Sequence, residues 1–292
     1  MNAVYGKFAM MLRRELWEHR AFWMAPLAVI GFAIIMALIQ PGRFGPGEGP
    51  VAGTFDGPVQ GAQYFGRGVM IIIATVLGGV ASISIVSYLL DCLYAERKDR
   101  SILFWKSLPV SDTQTVLVKL LVALVVAPLL AMLIAALVLP VMLLVLKVRF
   151  NLLSGVISWD AFVGAYSALP KIVAFWFSGA LWYAPFAAYL LLASVLAKRV
   201  PLMYAVLPPA VLMLLEGTIA GSSHVAGFLG KRLAPWAGDS WALNLNPVQF
   251  VWDTAEPDWM AFLLNPDLWL GVAAAAVMVY IVIRLRRYRD DT

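Results

Sequence analysis

Residues 91–112 read DCLYAERKDRSILFWKSLPVSD, and a long apolar run lies on either side of them. Within this insert Glu96, Arg97, Lys98, Asp99 and Arg100 are consecutive charges read as exposed. Ile102, Leu103, Phe104, Trp105 and Leu108 form an apolar cluster directly behind them. Pro109 cannot continue a helix, whereas Ser111 and Gln114 have the S-x-x-Q spacing of a capping box. The expectation is a short helix that stops at Pro109 and a new helix that opens at Ser111. Aromatic anchors inside a charged rim have the make-up of a docking element.

Working outward, composition sets the class. Hydrophobic residues make up 62% of the 292 and charged residues 13%, where a soluble domain carries roughly 25% charged residues. Runs of about 17 or more apolar residues match the ~30 Å hydrocarbon layer. The fold class is therefore an all-α polytopic membrane protein, a single transmembrane domain over residues 1–292 with six spans. They are Phe22–Ile39, Gly68–Leu90, Thr115–Leu146, Lys171–Ala197, Pro201–Ala220 and Asp267–Ile283. Span three is longer than a bilayer needs and holds Pro128 and Pro140, so it must tilt, kink or project. Ala74, Gly78 and Ser82 in span two, and Ala123, Ala127, Ala131 and Ala135 in span three, are small-residue seams suited to close helix contact.

Residues 1–20 carry Val4, Phe8, Met11, Leu12 and Leu16 at helical spacing, with Lys7, Arg14 and Glu18 on the other side. That pattern reads as an amphipathic helix in the interface. Residues 147–169 read as a moderately polar connection. The segment 221–266 reads as external and partly re-entrant, because Trp236, Trp241, Trp252 and Trp259 suit the headgroup layer. Its Asp253 and Glu256 mark a short helix, and Asn265 followed by Pro266 starts span six.

Six spans place both termini on one side. With that side inside, only Arg43, Arg67, Lys147, Arg149, Lys171, Lys231 and Arg232 of the 22 lysines and arginines lie outside. The Lys/Arg bias gives N-in, C-in, which puts the 91–112 insert in the cytoplasm. The +5 net charge is then read as contact with membrane lipid rather than nucleic acid.

Catalytic signatures are missing. There is no H-E-x-x-H, G-x-S-x-G, S-x-x-K or P-loop sequence, two histidines stand far apart, and one cysteine excludes an intramolecular disulfide. No bound cofactor is expected. Glu216 is the only acid inside an expected span. It reads equally as a gate or pathway residue and as a headgroup-level carboxylate near the outer boundary.

The run ERKDRSILFWKSLPVSD, followed by a long apolar span, resembles the cytoplasmic loop of ABC-transporter permeases of the type 2, export-associated class. The six-span layout, the amphipathic start and the long outer segment before span six are similar to the same family. The resemblance implies a permease of the bacterial cytoplasmic (inner) membrane that is not itself an enzyme. Its implied partners are a cytoplasmic ABC ATPase subunit, which binds ATP-Mg, and a second permease copy, a homodimer being preferred. It also implies that the insert is the coupling helix, with Glu96, Arg97, Asp99, Ser101, Phe104, Trp105, Lys106, Leu108 and Pro109 as ATPase-docking residues. A non-transporting sensor or scaffold using the same insert, and an intramembrane enzyme with an unconventional site, are the other classes considered.

Overall fold

In hydrocarbon no water is present to satisfy backbone N–H and C=O groups, so an apolar chain crosses it as helix. The computed structural model describes residues 2–39, 58–99, 111–149, 158–233 and 259–288, all of them helical or in short connections. Six of these helices are long and apolar enough to cross a membrane. The protein is a multi-pass, all-α membrane protein.

Helix α1 (Asn2–Glu18) ends before His19 and Arg20, and α2 (Ala21–Ile39) forms span one. Span two is α3 (Pro58–Lys98), which begins ten residues before the expected Gly68 and ends eight after the expected Leu90. The added residues, PVQGAQYFGR and DCLYAERK, are mixed in polarity and hold no proline beyond Pro58 at the helix start. Hydropathy marks where lipid contact stops, and the helix has no reason to stop there.

Span three opens with α4 (Asp112–Leu121), passes through a π-helical turn at Val122–Val126, and continues as α5 (Ala127–Arg149). Ser111 is the N-cap, and both halves of the expected capping box are present: Gln114 N–H donates to Ser111 Oγ, and Ser111 N–H to Gln114 Oε1. The π turn has a covalent cause. Pro128 has no N–H to give Leu124, and one residue earlier Ala127 N–H reaches back five residues to Val122 O.

The expected polar connection at 147–169 is corrected in part: residues 159–167 form α6 (Trp159–Ser167). Ala161, Gly164 and Ala165 share one helix face and are buried. The reason is close backbone approach, since a Cβ on Gly66 would strike the Ala161 carbonyl and one on Gly164 the Gln63 backbone. Helix α7 (Leu169–Leu196) forms span four. Span five is α8 (Pro201–Leu215) with a π-helical end at Glu216–Ala220. Helices α9 (His224–Leu233) and α10 (Trp259–Leu264) follow, and α11 (Pro266–Tyr288) is span six. Asn265 Oδ1 accepts from Asp267 N–H at 2.9 Å, as its expected N-cap position requires. The Asp253–Glu256 helix lies outside the described residues.

Two apolar clusters fill the bundle. One joins α3, α4, α7 and α11 toward the insert end through Leu89, Val116, Val122, Leu191 and Val282. The other joins α3, α5 and α6 toward the opposite end through Met70, Leu77, Leu139, Leu143 and Ala165. The alanine seam of span three is wholly buried. The span-two seam works at Gly78, where an added Cβ would sit 2.6 Å from the Trp176 ring, but Ser82 faces outward. Span five is the exception, with 6% of its apolar window buried against 50% for span four.

A Gly66→Ala or Gly164→Ala substitution should force α3 and α6 apart, at a cost of about 1–3 kcal/mol as an overpacked contact. Gly31→Ala, with nothing within 4 Å of its Cβ, should be neutral or slightly stabilising. Thermal midpoints of the purified protein in detergent would separate the two cases.

Candidate functional site

The base of the 91–112 insert is held by a chain of charges drawn from four helices. Glu15 of α1 pairs with Lys119 of α4 at 2.9 Å, and the same ammonium lies 3.1 Å from Glu96 near the end of α3. Glu96 in turn receives Arg286 of α11 at 2.6 Å, and Arg286 Nε donates to Asp112 Oδ1 at 3.0 Å. Signs alternate along the whole chain. Glu15, Lys119, Glu96 and Arg286 are 2%, 1%, 6% and 5% exposed, while Asp112 reaches the surface in the first turn of α4, where the helix dipole favours a carboxylate.

Tyr88 O–H donates to Glu15 Oε2 at 2.7 Å, filling the carboxylate's second oxygen. The Tyr88 ring packs edge-on to His19 (4.6 Å) and Phe22 (5.2 Å). Arg97 points another way: its Nη2 donates to Ser194 O (2.7 Å) and Ala197 O (2.9 Å), capping the last carbonyls of α7. Buried Ser194 Oγ accepts from Leu93 and Tyr94 N–H. Both feet of the insert are therefore fixed, the leading one to α7 and α11 and the trailing one to α11 and α1.

Magnitudes say what such a chain is for. At an effective dielectric near 20, charges 3 Å apart attract by roughly 5 kcal/mol. Desolvation costs several kcal/mol per buried ion, so formation comes close to break-even. Removing one partner is different, because it strands a buried charge. The network contributes little net stability but strongly fixes which residues stand together. No group of three or more His, Cys, Asp or Glu among the described residues is placed to hold a metal ion.

Three of the nine residues expected to dock a partner are described. Asp99 is exposed, as expected. Glu96 corrects the expectation of an exposed charge, since it lies on the α3 face that continues the Leu89–Leu93 seam into α4 and α11. Arg97 is half-buried for the same reason, against α7. Ser101, Phe104, Trp105, Lys106, Leu108 and Pro109 lie outside the described residues.

Glu216 sits at the far end of span five, apart from this cluster. Its carboxylate accepts from Ser222 Oγ (2.7 Å), His224 N–H (2.6 Å) and Val225 N–H (2.7 Å). It holds the reversal at Gly221, whose φ of +60° suits glycine, and caps the first turn of α9. These contacts give Glu216 a structural role at the turn into α9. Helix α9 then reaches span four, where Trp182 Nε1 donates to Arg232 O, and span six, where Arg232 donates to Asp267 O.

No family model, curated protein or solved structure matches this chain.

Glu15, Lys119, Asp112 and Arg286 were not among the residues singled out from the sequence. Each nevertheless continues a buried apolar seam at helical spacing or opens a helix: Glu15 follows Met11 and Leu12, and Arg286 follows Val279 and Val282. Arg286→Ala should lose about 3–5 kcal/mol, the cost of a stranded buried charge. Glu96→Leu combined with Arg286→Met should lose less than Arg286→Ala alone, as read by thermal midpoints in detergent.

Burial holds the His19 imidazole below its ordinary pKa of 6.5, with the Lys119 cation adding to that effect and Glu15 opposing it. The unfolded chain therefore takes up this proton more readily than the folded one. Stability should fall as pH drops below about 6.5, and His19→Phe should flatten that fall. Unfolding midpoints measured from pH 7.5 to 5 would show it.

Proposed function

We propose that this chain is the membrane-spanning permease subunit of an ATP-driven exporter, similar to the type 2 ABC class, in a bacterial cytoplasmic membrane. Its N- and C-termini lie inside, and a separate ATPase subunit grips the 91–112 insert. The observation that carries the reading is the clamp of Arg286 on Glu96 and Asp112, one carboxylate on each foot of the insert. A loop that only linked two spans would have no use for a buried arginine clamped between carboxylates on both of its feet. A coupling element does, because force applied at its tip must reach the spans without being lost in slack.

In this reading the insert's displacement passes through Arg286 to span six, through Lys119 to span three, and through Glu15 to α1. Span five supports the paired arrangement, since Ala205 is its one buried residue within the described chain. A second copy is proposed to cover part of that face. The two halves would then alternate between inward- and outward-open states, ATP binding favouring one and hydrolysis resetting it. Charged Asp99 and the aromatic pair Phe104 and Trp105 are the proposed contact with the ATPase.

Trp105→Ala together with Asp99→Lys should abolish or severely reduce co-purification of an ATPase with the tagged chain from native membranes. The fold, read by the thermal midpoint, should be unchanged. Undiminished co-purification and ATPase stimulation would remove the docking assignment.

A further inference from the structure

The ion-pair chain uses one face of α1 and leaves the other unexplained. With Glu15 locked to Lys119, α1 cannot roll, and the side away from the bundle is fixed in direction. That side carries Met10, Arg13 and Trp17 at i, i+3 and i+7, and exposed Arg20 follows in the turn between α1 and α2. Met10 and Trp17 are 66% and 65% exposed, and both arginines are exposed too. The Arg13 guanidinium lies 5.3 Å from the Trp17 ring centroid. Arg14 is neutralised by Glu18 at 2.6 Å, whereas Arg13 and Arg20 have no acidic partner among the described residues.

Two unpaired guanidinium groups beside an open tryptophan and methionine specify their complement. Span one begins at Ala21, directly after Arg20, so a bilayer crossed by α2 brings its phosphate layer to this end of α1. Tryptophan favours that layer, and a guanidinium presents a planar fork that suits a phosphate diester. A zwitterionic headgroup brings its own cation, so an excess of two positive charges selects a headgroup with net negative charge.

We propose that Arg13, Trp17 and Arg20 form a binding site for the headgroup of an anionic phospholipid. The site goes beyond the transporter reading and rests only on this end of the bundle facing an anionic leaflet. Because the same helix carries Glu15, a bound lipid also holds α1 where the Glu15–Lys119 pair is closed.

The test uses the full chain in neutral detergent without any ATPase, so its outcome is independent of the transport proposal. Phosphatidylglycerol or phosphatidylcholine is added in mixed micelles, and retained lipids are counted by native mass spectrometry. The wild type should retain phosphatidylglycerol in preference. Arg13→Gln with Arg20→Gln should retain it about 30-fold more weakly. The lipid-free thermal midpoint should not change, since both side chains are exposed. Equal retention of the two lipids by the wild type, or undiminished phosphatidylglycerol binding by the variant, would overturn the site. Loss of a lipid-free dimer in the variant would assign the stripe to a protein contact and overturn it as well.

Discussion

Lys119 and Arg286 are the two cations that hold the insert end together. Each stands between two carboxylates, and between them they draw in α1, α3, α4 and α11. A buried charge tolerates no near miss, because a partner displaced by a few ångströms leaves an uncompensated ion in a medium of low dielectric. Apolar contacts are far more forgiving, and in lipid they hardly distinguish one helix from another. Polar register is therefore set at one end of the bundle, and close packing of small residues sets it elsewhere, at Gly66, Gly78 and Gly164.

The lipid environment also explains the contrast between spans four and five. Span four is wrapped by the other helices, with Trp182 and Ser194 among its buried residues. Span five is tied on by Tyr189 O–H to Ala205 O at its start and by the Glu216 turn at its end. In water such a helix would be a large exposed apolar surface. In a bilayer it is stable as it stands, and it is the face with the most area free for a second copy or for lipid.

Much of the architecture was legible because hydrocarbon imposes simple rules. Apolar run length gave the spans, S-x-x-Q gave the start of α4, and Asn265–Pro266 gave the start of α11. Helix ends were less legible where lipid contact and helix propensity part company, as at both ends of α3 and in α6. The charge cluster escaped because its members are up to 271 positions apart in sequence, from Glu15 to Arg286. Each looks like an ordinary flank of its own segment, and only the fold brings opposite signs into register. The sign that something was there is local: an acid on the apolar side of an otherwise amphipathic helix, and a lysine inside the run VLVKLLVAL.

The π turn at Val122–Val126 gives span three a particular mechanical character. Immediately below it, Lys119 locks α4 to α1 and α3. Above it, α5 is sealed into a separate apolar cluster with α6. Pro128 removes one rung of the hydrogen-bond ladder at the junction, so bending stiffness is lowered there. Span three is thus two lengths of α-helix joined at a compliant turn, the second carrying a further proline at Pro140. The first segment is held by the charged base and the second by apolar packing, so the turn lies between two differently anchored parts of one span.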